Sequence, residues 1–191
     1  VKALCEQGDI FTTVGDFVRL RAWVLAHLMW DPSQDEKALI REFMNGYYQK
    51  AAPFLLDYLE LTHDAAEQSN IYLRCYMDST DSWLSPGTLN RATALFNKAL
   101  EAVKDDAELT RRVTRAKMPL DNVWLKRYKS LEIIFKASGK KSLGPADPRN
   151  AAQSFIRKSH EFNNKYYAEG RPFAEYERQL RERFIRKAGP P

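Results

Sequence analysis

Cysteine, glycine and long apolar runs are scarce in this sequence. Two cysteines, Cys5 and Cys75, among 191 residues are too few for a disulfide framework. They could pair in an oxidising compartment; the reading taken here is two small buried thiols, the usual packing role of cysteine. No apolar run reaches the ~18 residues that a membrane-spanning helix needs. The eight glycines form no phosphate-cradling loop, and neither an HExxH motif nor a Ser-centred elbow occurs. The three histidines, His27, His63 and His160, stand apart, each without a second His or Cys at ligand spacing. His27 is read as a core histidine, and neither a metal nor a cofactor is expected. An excess of one charge is also lacking. The net charge of +5 comes from 30 basic and 25 acidic residues, interleaved along the chain. No basic block carries interleaved aromatics, so nucleic acid is not an expected partner.

Apolar residues make up 44% of the chain and aromatics 12%, enough for a folded core and unlike a disordered segment. The apolar residues recur at spacings of three and four, and most breaks carry cap or proline chemistry. The expectation is an all-α fold, an irregular bundle of about seven or eight helices without a sheet of its own. Phe17 to Trp30 is apolar around most of its circumference and reads as a buried central helix. Asp16 is placed to cap it, and Asp31-Pro32 ends it. Trp30 is expected beneath that turn, with a cost of about 3–5 kcal/mol for Trp30→Ala if the site is core.

Asp35 caps the next helix, whose face is Leu39, Ile40, Phe43, Met44 and Tyr47, with Gly46 as the terminator. Pro53 opens a third. Ile71, Leu73, Cys75 and Met77 alternate as in a strand, while Tyr72 and Tyr76 fit a helix equally well; with no partner strand evident, helix continuation is expected. Ser85-Pro86 restarts a helix through Leu89, Phe96 and Val103. Asp105-Asp106 opens another running to Phe135, kinked at Pro119. Residues 139–148 (GKKSLGPADP) read as a linker. Two helices follow it, the first stopping at Gly170 and the second starting at Pro172. The organisation expected is a short N-terminal piece (1–15), a main helical domain (16–138), the linker (139–148) and a C-terminal helical pair (149–191). Val1 does not look like a natural start, and the sequence is expected to be a piece of a longer protein.

Little here points to chemistry. Acidic residues fall on polar faces. Glu6-Gln7 follows the apolar run Val1 to Cys5, a context in which carboxylates at the end of a barrel strand line sugar sites; without a barrel it reads as an exposed acidic turn. Aromatic side chains stack on sugars but at helical spacing are more often core. Trp83, in the loop STDSWLSPG, is the best exposed candidate for binding, with Tyr47 and Tyr48 behind it.

The order LRAWVLAHLMWDP, ALIREFMNGYY, AAPFLLDYL, in residues 20–59, resembles domain of unknown function 4838. That family is a helical segment in the C-terminal part of secreted bacterial proteins related to glycoside hydrolases, following a barrel similar to those of alpha-glucuronidases and hexosaminidases. The resemblance covers Val1 to about Leu61. It implies that Val1 to Glu6 is a late barrel strand, with Glu6 and Gln7 at its ligand-facing end. It also implies a periplasmic or extracellular location and a non-catalytic accessory role in carbohydrate metabolism. The upstream barrel would be the main partner, with carbohydrate and a second copy of the chain as further ones. Family members usually have Tyr-Gly where this sequence has Tyr48-Gln49, which puts the turn there in question. The rival reading is a stand-alone helical interaction module.

Overall fold

The computed structural model describes residues 15–72, 77, 79–168 and 170–185. Cys5, Cys75, Leu73, Tyr76 and the expected strand at Val1 to Glu6 lie outside them. The described residues form an all-α bundle. In order come α1 (Val18–Trp30), α2 (Glu36–Tyr48), a 3₁₀ turn (Gln49–Ala51), α3 (Ala52–Gln68), α4 (Pro86–Ala102), α5 (Ala107–Lys126) and α6 (Tyr128–Ser138). Then follow α7 (Pro148–Glu161), β1 (Tyr166–Ala168), β2 (Arg171–Pro172), α8 (Phe173–Leu180) and a π-helical turn (Arg181–Ile185). The caps form as the side-chain chemistry dictates. Asp35 accepts from the N–H groups of Lys37 and Ala38, Ser85 from Thr88, Asp106 from Leu109 and Asp147 from Arg149, each quenching orphan donors of a first turn.

The main core joins α1 to α6 around Met44, Leu55, Leu89, Phe96 and Val113, all fully buried. A second core lies behind α5, where Met118 and Leu125 meet Phe155, Ile156, Phe173, Tyr176 and Leu180. α5 is therefore the central helix. It turns Leu109, Val113, Ala116, Leu120 and Trp124 to one core and Met118 and Leu125 to the other.

This corrects the reading of α1. Only Leu20 and Val24 of α1 are buried, while Leu25, Met29 and Trp30 are 41%, 38% and 89% exposed. A helix apolar on every side does not reveal which stripe packs. The Asp31 turn closes on itself, its Oδ1 accepting from the Ser33 N–H at 3.0 Å and the Ser33 hydroxyl at 2.6 Å, and leaves Trp30 uncovered. Trp30→Ala is accordingly expected to cost less than about 1 kcal/mol in chemical denaturation of this chain, the range of a surface substitution.

The ends of several helices also differ from expectation. α2 passes through Gly46 and stops at Gln49, which has φ 47° and ψ −117°, a conformation that suits glycine and strains other residues. This is where the family resemblance places glycine. A Cβ at Gly46 would meet nothing within 4 Å. Gly46→Ala and Gln49→Gly are each expected to raise the unfolding free energy by roughly 1 kcal/mol; urea melts showing both destabilising would contradict these local conformations.

α3 ends at Gln68, and the described residues 71, 72, 77, 79 and 80 are not helical. Asn70 takes a left-handed conformation (φ 46°) and its N–H bonds the Glu67 carbonyl, so the chain leaves the helix there. α7 stops at Glu161 rather than Gly170. Asn163 (φ 52°) ends it in a Schellman motif, with Asn163 N–H on His160 O and Asn164 N–H on Ser159 O, both at 2.9 Å. Gly170 (φ 66°) instead sits in the turn of a two-stranded antiparallel hairpin, a small sheet the sequence reading did not anticipate. Pro119 lies within an unbroken α5, and the interruption comes at Arg127.

Residues 139–148 hold no helix before Pro148 and are strapped to the bundle. The Asn90 side chain donates to Lys141 O and accepts from Leu143 N–H, both at 2.8 Å. Gly144 lies directly on the Trp124 indole.

Candidate functional site

A cleft of about 490 Å³ opens between the start of α1, α3, the α3–α4 loop and α5. It begins with a strained residue. Phe17 adopts a left-handed conformation (φ 43°) and its ring is buried edge-on to Tyr48 and Tyr58, with centroids 6.0 and 5.7 Å apart. Those contacts hold a conformation that a non-glycine residue rarely adopts. As a result Asp16 does not cap α1 through its side chain. It turns its carboxyl inward, where the Tyr58 hydroxyl donates to Oδ2 at 3.3 Å. Oδ1 is buried and finds no hydrogen-bond partner among the described residues. Burial pushes the Asp16 carboxyl up to about 6, against the Tyr58 hydrogen bond, the Arg21 charge and the Phe17 N–H, which all favour the anion.

The loop side of the cleft carries Trp83, and the break between α5 and α6 carries Arg127. Trp83 is half-buried against the main core, and its Nε1–H is buried without a partner among the described residues. Arg127 donates from Nη1 to the Leu84 carbonyl at 2.6 Å. Its Nε lies 2.5 Å from Asp81 Oδ1 as an ion pair, yet is misaligned and makes no hydrogen bond. Desolvation holds the Arg127 guanidinium below its usual range, with the Asp81 charge opposing that shift. Asn122, on the cleft floor, accepts from the Tyr176 hydroxyl, and Thr62 donates to carbonyls of its own helix. Apolar walls come from Leu84, Leu120, Val123 and Pro119. The cleft lining thus holds an unpaired acceptor, Asp16 Oδ1, and an unpaired donor, the indole N–H of Trp83.

The other sequence candidates lie elsewhere. Glu6 and Gln7 are outside the described residues. Tyr48 is buried in the main core, where burial holds its phenol well above the usual range. The Tyr47 ring is covered by Phe43, stacked at 5.1 Å, and by the Arg112 guanidinium at 4.4 Å; its hydroxyl accepts from Arg19 at 2.7 Å. Neither tyrosine faces the Trp83 cleft. His27 lies half-buried against Trp23, His63 is exposed, and His160 pairs with Glu177 at 2.7 Å. Among the described residues no group of three or more His, Cys, Asp or Glu could hold a metal, and no helix is long and apolar enough to cross a membrane.

Trp83 is legible in the sequence as a site residue; Asp16 and Arg127 are not. Asp16 looks like a cap because it precedes an apolar helix; its burial depends on Tyr58, 42 positions along the chain. Arg127 carries no local signal beyond its place at the end of an apolar face.

No curated protein and no solved structure matches the chain. Residues 1–60, which take in α1, α2 and the start of α3, are similar to the family described as domain of unknown function 4838.

Proposed function

We propose that these residues form a non-catalytic accessory domain of a secreted, glycoside hydrolase-like carbohydrate-processing protein, located in the periplasm or outside the cell. The domain packs on an upstream barrel through α1, or uses the same face for contact between two copies. The observation that carries this reading is the outer face of α1, where Leu25, Met29 and Trp30 lie in the open. An exposed apolar face of this kind marks an interaction surface. It belongs to the residues that match the family, and it directly follows the segment that the resemblance reads as barrel. The rival reading, a stand-alone interaction module, draws on Ile133 and Ile134 on the outer face of α6, 66% and 43% exposed.

Glycoside hydrolysis uses two carboxyl groups roughly 5–10 Å apart across one bond. Glu6 alone has a plausible context for such a group, and its partner would come from barrel strands outside these residues. The purified 191-residue chain is therefore expected to show no turnover of aryl-glycosides or uronides. Turnover that Glu6→Gln abolishes would overturn the accessory reading, because a complete site would then lie within these residues.

A further inference from the structure

Three side-chain atoms among the described residues are buried without a hydrogen-bond partner: Asp16 Oδ1, Trp83 Nε1 and Arg127 Nε. All three residues line the same cleft. Scattered orphans would each be a local defect. Arg127 Nε is held against Asp81 as an ion pair; the other two, an acceptor and a donor on one cavity, describe the complement of something that fills it, since buried polar groups are ordinarily paired. The strained Phe17 is a second, independent sign. It aims Asp16 inward instead of letting it cap α1, and strain of this kind concentrates at binding sites.

The chemistry of the occupant follows from the lining. Two carboxylates, Asp16 and Asp81, face two cations, Lys126 and Arg127, so the cleft favours no net charge. A hydroxyl group both donates and accepts, and so satisfies Asp16 Oδ1 and the Trp83 N–H alike. A flat indole and aliphatic walls suit the C–H face of a compact ring. We propose that this cleft binds a small, net-neutral, polyhydroxylated ring, with one hydroxyl donating to Asp16 and another accepting from the Trp83 N–H. The cleft's volume of about 490 Å³ lies in the range of small-molecule sites. This site does not rest on the barrel-docking face of α1, and each can fail without the other.

The test is a titration of the uniformly ¹⁵N-labelled 191-residue chain, following the indole N–H resonances. The Trp83 resonance is identified by its loss in Trp83→Phe. Glucose, galactose, xylose and myo-inositol are the probes, each raised to about 50 mM, where even millimolar affinity saturates; glycine is the zwitterionic comparison. The expected result is a saturable shift of the Trp83 resonance with at least one of the four polyols. In Asp16→Asn the affinity falls about tenfold, because a charge-assisted hydrogen bond becomes a neutral one. Trp83→Phe, followed by calorimetry, loses measurable binding while its thermal transition stays cooperative. A shift with glycine alone overturns the polyol assignment. No saturable shift with any probe, or one that Asp16→Asn leaves unchanged, overturns the site and makes the cleft a solvent-filled one.

Discussion

At pH 8, Asp16→Asn raises the unfolding free energy by about 2–3 kcal/mol, and at pH 3 it changes it little. The sign follows from the direction of the shift. The Asp16 carboxyl has its ordinary value of 3.8 when unfolded and about 6 when folded. Between those values the native chain holds a proton that the unfolded chain has released. Stability contributed by this group is therefore greatest below about 4, falls as pH rises, and reaches its full penalty above about 6. Asparagine carries no charge to desolvate and keeps an oxygen for the Tyr58 hydroxyl. Urea melts of both proteins across pH 3–8 check this. Parallel pH profiles would mean that Asp16 is solvated in the native state.

Gly144→Ala is expected to lower stability by about 3 kcal/mol or more, at the upper end of overpacking costs. An added Cβ would overlap the six-membered ring of Trp124 and lie 2.8 Å from its Cδ2. Moving the indole aside would break contacts that hold it. It is buried, its Nε1–H donates to Thr93 Oγ1 at 2.9 Å, and it stacks on Phe135. At ~2–4 °C per kcal/mol for a chain of this size, the loss is plain in a thermal melt. A change below about 0.5 kcal/mol, the ordinary surface range, would show that residues 139–148 behave as a free linker.

Those two positions illustrate what the sequence revealed and what it hid. Helix existence was legible, because the periods through α2, α4 and α5 and the caps at Asp35, Ser85, Asp106 and Asp147 are local facts. Helix ends were less so. Glycine marks Gly46 and Gly170 as stops, whereas the left-handed positions that stop α2, α3 and α7 belong to Gln49, Asn70 and Asn163. Asparagine was a readable signal for two of them; Gln49 was not. Burial was the least legible property. α1 is apolar all round but sits at the edge, while α5, which looked amphipathic, is covered on two sides because α7 and α8 fold back on it. The cleft shares that difficulty. Its three orphan atoms come from residues 16, 83 and 127, and no local pattern joins them.

The outer face of α1 carries the functional reading, and hydroxyl-radical footprinting measures it most directly. Leu25, Met29 and Trp30 would be compared in the 191-residue chain and in a chain extended upstream through the barrel that the account places there. In the short chain all three should label readily, as their exposure requires. In the extended chain the account predicts strong protection of all three, with labelling of Ile133 and Ile134 unchanged. Equal labelling of Leu25, Met29 and Trp30 in both chains, or protection confined to Ile133 and Ile134, would contradict it.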